Sequence, residues 1–167
     1  MRSLLGRSTS PTMQAELRVA LVGCGAIAQW HAEALRAARR TRVTACVDPE
    51  RARAEALATK LGATGFSSLG AALAAGVADA VAIMVPHHLH EPLVLEALAA
   101  GRHVFLEKPM ATTVAACERI LSAAEAATQL DPRHALQCAC HALEQAAKLG
   151  RQWNSIERMP SRLSTFG

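Results

Sequence analysis

The sequence predicts an α/β protein built on one doubly wound parallel sheet, and three observations point there. Short apolar runs alternate with helix-like segments of 10 or more residues, the pattern of a sheet whose strands are joined by helical crossovers. The runs are apolar throughout rather than at every second residue, as in strands covered on both faces. Turn formers such as Gly23, Asp48-Pro49, Gly62, Pro86 and Gly101 stand where one pattern gives way to the next. A chain of 167 residues, 51% hydrophobic and 19% charged, has room for one compact domain and the apolar content for its core.

Residues 1–16 read as a flexible leader: basic, serine-containing and free of acid until Glu16. Leu17-Arg18-Val19-Ala20-Leu21-Val22 is a buried strand stopped by Gly23, and Ala26 to Arg39 has helical composition. Arg42 to Val47 is the second strand, halted by Asp48-Pro49; a helix over Glu50 to Leu61 ends at Gly62. Thr64 to Phe66 gives a brief strand and Leu69 to Ala75 a short helix. Asp79 to Val85 is the clearest buried strand, closed by Pro86 and followed by a helix over Glu91 to Ala100. His103 to Leu106 is the next strand, after which Thr112 or Thr113 can cap a helix running through Ala124. Residues 17–126 thus form the domain. In the remainder, 127–167, Asp131-Pro132 opens a helix over about 132–149, with Leu136, Cys140, Leu143 and Ala147 as an apolar stripe, before a disordered end.

Charge and composition exclude several roles. The net charge of +4 comes from scattered arginines. The one cluster, Arg36, Arg39, Arg40 and Arg42, follows a helix and has no interleaved aromatic residues, so no nucleic-acid surface is expected. No apolar stretch is long enough to span a membrane. The cysteines, Cys24, Cys46, Cys117, Cys138 and Cys140, have no disulfide-framework spacing and read as free thiols of a reducing, cytoplasmic compartment.

The sharpest motif is Gly23-Cys24-Gly25-Ala26-Ile27-Ala28, a G-x-G-x-x-A between the first strand and the first helix. Gly23 permits the tight turn, Gly25 lets a pyrophosphate approach the backbone, and Ala28 allows close helix–strand packing. The helix N-terminus then offers free N–H groups to phosphates. Asp48, 20 residues past the motif at the end of the second strand, is placed for ribose hydroxyls. Together these indicate a Rossmann-type unit holding NAD, with NADP as the alternative, since Arg51 and Arg53 soften the repulsion between Asp48 and a 2′-phosphate.

Two further groups stand at strand ends, where ligands bind in open α/β sheets. Pro86-His87-His88-Leu89-His90 follows the central strand; it reads as a cofactor or substrate contact, a metal site or a plain helix-start loop, although adjacent histidines on one loop rarely converge on one ion and no metal is assigned. Glu107-Lys108-Pro109 follows the next strand, where a lysine can hold a hydroxyl and favour alkoxide character, or form a solvated ion pair. His134, Cys138 and His141 fall on one helical face and read as surface residues rather than zinc ligands.

Three segments together resemble the nucleotide-binding domain of the glucose–fructose oxidoreductase and inositol dehydrogenase family, the Gfo/Idh/MocA group. They are VALVGCGAIAQWHAEAL with His31-Ala32, AVAIMVPHHLHEPLVLEALAAGRHV with Pro86 and His90, and FLEKPMATT with Glu107 and Lys108. The resemblance implies a nicotinamide cofactor at Gly23, Gly25, Ala26, Ile27, Ala28, Asp48, Pro86, His90, Glu107 and Lys108, with Lys108 and His90 catalytic. It also implies hydride transfer to or from a sugar, polyol or related carbonyl. His87 stands where the family commonly has asparagine. Members add another strand after the helix that follows Glu-Lys-Pro, then a substrate domain with an acid–base histidine; neither is recognisable in residues 127–167. The chain therefore reads as a truncated isoform with an unrelated tail, binding a dinucleotide and taking substrate only if a second domain is supplied. A non-enzymatic regulatory role and an unstable product are the alternatives; oligomeric state stays open.

Overall fold

The computed structural model describes residues 16–38, 40–130 and 136–138. Strand β1 (Leu17–Val22) leads through the glycine turn to helix α1 (Ala26–Ala37), strand β2 (Thr41–Val47) and helix α2 (Arg51–Leu61). Gly62 ends α2 in the left-handed region, at φ 65°, where its N–H reaches Ala58 O. Strand β3 (Thr64–Phe66), helix α3 (Leu69–Ala74) and strand β4 (Ala80–Ile83) follow. A single 3₁₀ turn, His87–Leu89, then runs into helix α4 (His90–Ala99). Strand β5 (His103–Leu106) precedes helix α5 (Val114–Leu130), and Thr113 caps α5 by accepting from the N–H of Ala116 at 3.2 Å.

The strands form one parallel sheet in the order β3-β2-β1-β4-β5, extended beyond β5 by strand β6 (Leu136–Cys138). The chain winds outward from β1 in one direction and from β4 in the other, so the connections leaving these two paired strands run to opposite faces of the sheet and leave a crevice beyond their carboxyl ends. Helices α1 and α2 lie on one face, where Ala28, Ala32, Ala54, Leu57 and Ala58 meet Val19, Leu21, Cys46 and Ala82. Helices α3, α4 and α5 cover the other, packing Leu69, Val94, Leu98 and Ile120 on Val22, Val81, Ile83 and Leu106. The alanines on these helix faces let the backbones approach the sheet closely, at the cost of little apolar area per residue.

Strand β2 departs from simple alternation. Val19 pairs with Val43 but Ala20 pairs with Ala45, so Thr44 has no partner on β1. The extra residue reverses the side-chain parity: Val43 and Cys46, three apart, share the α1–α2 face, while Ala45 and Val47 point to the other. The Thr44 hydroxyl donates to Val77 O at 2.7 Å, which gives the displaced side chain a partner.

Residues 136–138 correct the sequence reading, which puts them inside a helix. They form β6, with Val104 opposite Leu136 and Leu106 opposite Cys138. The unpaired edge of β5 offers a row of backbone donors and acceptors, and tertiary pairing overrides local helical composition. This strand also supplies the next member of the sheet that the sequence alone does not reveal. The rest of the expected 132–149 helix, the disordered end, the leader up to residue 15, and His134, Cys140 and His141 lie outside the described residues. Helix α5 is longer than expected, continuing past Ala124 to Leu130.

At the opposite end from the crevice, Arg18 fastens β1 to the segment before β4. Its guanidinium donates to Asp79 Oδ1 at 2.6 Å and Oδ2 at 3.0 Å and to Gly76 O at 3.0 Å. Hydrogen bonding from Arg18 holds the Asp79 carboxyl below its ordinary range despite partial burial. The unfolded chain therefore takes up this proton first: the pair's stabilisation is full above about pH 4 and is lost as pH falls through the lowered folded-state value. Asp79→Asn is expected to lower the melting temperature by a few degrees at pH 7, less than a buried pair would, because both side chains are partly solvated. The gap between the two proteins should close on acidification; thermal melts from pH 7 to pH 2 that stay parallel would show the pair contributes nothing.

Candidate functional site

The crevice between β1 and β4 is made by a glycine that can be nothing else. Gly23 sits at φ 89°, and a Cβ there would lie 2.3 Å from the carbonyl oxygen of Met84. Its N–H donates to Val47 O at 2.8 Å, and the Met84 N–H donates to Val22 O at 2.8 Å, so the turn is knitted into both neighbouring strands. Gly25 is different. It caps α1 at φ −76°, which any residue can adopt, and a Cβ placed on it would have nothing within 4 Å. Gly25, Ala26 and Ile27 are exposed at the start of α1, whereas Ala28 is buried against the sheet. No side chain caps this helix and its first turn holds no acid, so its positive end faces the crevice uncompensated.

Asp48 closes one side. It is buried at the end of β2, and its two oxygens accept the N–H groups of Cys24 at 3.0 Å and Glu50 at 2.9 Å. The carboxylate thus orients the glycine turn itself, and it retains acceptor positions for a further donor. Arg51 and Arg53, beside it in sequence, are engaged by Glu55 at 2.6 Å and Glu50 at 2.8 Å.

The other side is formed by the segments after β4 and β5. Pro86, His87 and His88 are exposed there. His90, which the resemblance makes catalytic, lies elsewhere: it is 0% exposed, with Nε2 3.0 Å from Val85 O and Nδ1 2.9 Å from Pro109 O. With a carbonyl facing each ring nitrogen, the buried side chain links the two strand-end loops to each other. Four-residue spacing from Pro86 locates the residue but not its burial.

Glu107 is likewise drawn inward. His31 Nε2 donates to its Oε1 at 2.7 Å, the His31 ring stands edge-on to Phe105, and Glu107 Oε2 accepts the N–H of Lys108 at 3.1 Å. A pair 76 residues apart in sequence therefore ties α1 to the end of β5. Sequence reading noticed His31 only through family likeness and gave it no partner. The Lys108 side chain is exposed, with no partner for its ammonium among the described residues. Among those residues no three His, Cys, Asp or Glu side chains converge as a metal site, and no helix is long and apolar enough to cross a membrane.

Comparison with known proteins agrees with the fold. A family model described as the Gfo/Idh/MocA oxidoreductase family, NAD-binding Rossmann fold, matches residues 17–155. The match runs past residue 126, where sequence reading ends the resemblance. The chain is similar to inositol 2-dehydrogenase of Corynebacterium glutamicum strain R, at 37% identity over 126 residues, 73% of this chain and 36% of that one. It resembles the WlbA dehydrogenase of Chromobacterium violaceum, solved with NADH and UDP-GlcNAcA, at TM-score 0.70 and 35% identity over 77% of this chain and 36% of that one. A 3-ketoreductase from Actinomadura kijaniata, solved with NADP, gives TM-score 0.66 and 31% identity over 74% of this chain and 38% of that one. The chain spans about a third of the length of the curated relatives it matches.

Gly23→Ala should destabilise the fold by more than about 3 kcal/mol, through both the backbone clash with Met84 and the left-handed φ. Urea unfolding measures it; a midpoint equal to wild type would show that β1 and β4 can separate without cost.

Proposed function

The chain belongs to the Gfo/Idh/MocA oxidoreductase family with its NAD-binding Rossmann fold, and on that premise we propose that it provides the dinucleotide-holding half of a hydride-transfer site. The observation that carries the proposal is the open space over Gly25 beside an uncapped helix N-terminus, where backbone N–H groups can receive a pyrophosphate. Gly23, Ala26, Ile27 and Ala28 shape that turn. Asp48 accepts the adenosine-ribose hydroxyls, and Pro86 with the exposed part of its loop borders the nicotinamide half. Nicotinamide supplies the hydride acceptor or donor. Lys108 holds the reacting hydroxyl and favours its alkoxide form, while Glu107, held by His31, fixes the lysine's backbone. His90 acts as a brace for that loop rather than as an acid or base. The substrate class that fits the relatives is a polyol, sugar or sugar-derived carbonyl. Free thiols at Cys24, Cys46 and Cys117 suit a reducing compartment, and the cytoplasm is our assignment.

Gly25→Val tests the phosphate site. With open space around the added side chain, the melting temperature should stay near wild type, while NADH affinity drops by ~100-fold or more, read by calorimetric titration. Equal binding would place the phosphates elsewhere.

Cofactor choice follows from Asp48. NADH should bind at least ~10-fold more tightly than NADPH, because a 2′-phosphate meets this carboxylate and both adjacent arginines are already paired with glutamates. Asp48→Asn should narrow the ratio; a wild-type preference for NADPH would sink the assignment.

Turnover by this chain alone should be below detection. Hydride transfer requires the substrate carbon held within about 3–3.5 Å of its acceptor, positioning that supplies ~7–11 kcal/mol of the barrier. Among the described residues the Lys108 side chain is exposed and no partner holds its ammonium. NADH formation with inositols and hexoses, if it co-purified with the chain and vanished in Lys108→Ala, would contradict this.

A further inference from the structure

We propose that Cys24 and Cys46 are a redox-sensitive thiol pair whose oxidation to a disulfide closes the pyrophosphate turn; the closing effect rests on the dinucleotide reading above, and the pairing does not. Cys24 lies inside the glycine turn and Cys46 inside β2, and both belong to the core cluster beneath α1. The Cys24 thiol reaches Val47 O at 3.5 Å, the carbonyl of the residue next to Cys46, and both sulfurs lie on the same face of the sheet. Cys24 is 9% exposed at the rim of the crevice next to exposed Gly25, whereas Cys46 is sealed at 0%. Cys117 is held on α5, across the sheet, and cannot compete.

The environment assigns different roles to the two sulfurs. Hydrogen bonding from Cys46 lowers the Cys24 thiol below its ordinary range, against burial and the Asp48 charge. Donating that bond, together with burial, pushes Cys46 up and keeps it protonated. With hydrogen peroxide as oxidant, the Cys24 thiolate attacks one peroxide oxygen, the O–O bond breaks, and hydroxide leaves to take up a proton as water. Cys46 sulfur then attacks the Cys24 sulfenic acid: the S–S bond forms, the S–O bond breaks, and the departing hydroxide carries off the Cys46 proton as a second water. Two thiols are oxidised and one peroxide is reduced.

The new bond, at ~2.05 Å, is much shorter than a thiol–thiol hydrogen bond. Cys46 is fixed by ladder bonds to β1 and β3, so it is the turn that must move. Its displacement drags the Cys24 N–H away from Asp48 and reshapes the Gly23–Gly25 backbone on which the phosphates rest.

The test is peroxide treatment of the whole chain followed by tryptic peptide mapping without reductant. Peptide 19–36, carrying Cys24, should appear linked to peptide 43–51, carrying Cys46, and separate again with dithiothreitol. NADH affinity should fall at least ~10-fold on oxidation and return on reduction, and bound NADH should slow the linkage. Cys46→Ala should bind NADH when reduced, form no link, and carry Cys24 on to its irreversible sulfinic acid. Peptides that stay unlinked while Cys24 remains a thiol, or a linked protein with unchanged NADH affinity, would overturn the proposal. Reduced wild-type protein that never binds NADH would instead overturn the dinucleotide reading, with the peptide link still deciding the pair.

Discussion

The turn at the end of β1 exists because residue 23 has no side chain. With the Met84 carbonyl 2.3 Å from where a Cβ would stand, β1 and β4 come together as tightly as two backbones allow. From that contact the rest follows. Strands that touch at this point and wind away in opposite directions must leave a crevice just above it, and the chain leaving Gly23 must start its helix beside that crevice. Asp48, reaching across from β2 to the N–H of Cys24, makes the arrangement rigid on one side, and the His31–Glu107 pair does so on the other. A loop that must hold its shape before any ligand arrives gains from having both edges fixed.

Much of this was legible in the sequence because the signals are local. The strand over residues 17–22, the glycine turn, the Gly62 stop and the Thr113 cap all depend on residues within a few positions of one another. What escaped is nonlocal. Nothing near His31 announces a partner 76 residues away, and nothing in Pro86-His87-His88-Leu89-His90 says that the last histidine turns inward while the two before it stay exposed. Residues 136–138 look helical until the open edge of β5 is there to receive them. In each case the missing information was a neighbour supplied by the fold.

The alanine-rich composition acquires a meaning in the packing. Ala28, Ala32, Ala54 and Ala58 carry α1 and α2 down onto the sheet, and that closeness aims the first turn of α1 at the crevice. A bulkier face would bury more area yet lift the helix away from the turn. Stability is therefore concentrated in a few larger residues, Leu21, Ile83, Leu106 and Ile120, on the central strands and α5. The charged surface contributes through specific ties such as Arg18–Asp79 and Arg119–Glu91 rather than through a coherent field.

Thr44 has a consequence for how relatives should be compared. Because β2 accommodates one residue that β1 does not match, its two halves run in opposite phase, and Asp48 owes its orientation to the second half. A relative lacking the extra residue would have unbroken alternation along β2, with the residues on both sides of the Thr44 position keeping the faces and β1 partners they have here. An alignment that balances such a difference with a gap in the loop before β2, instead of at Thr44, would equate outward with inward positions. The error would be confined to the first half of β2, because the residues after Thr44, Asp48 among them, align the same either way. For this fold the correct place for an insertion or deletion is the middle of a strand.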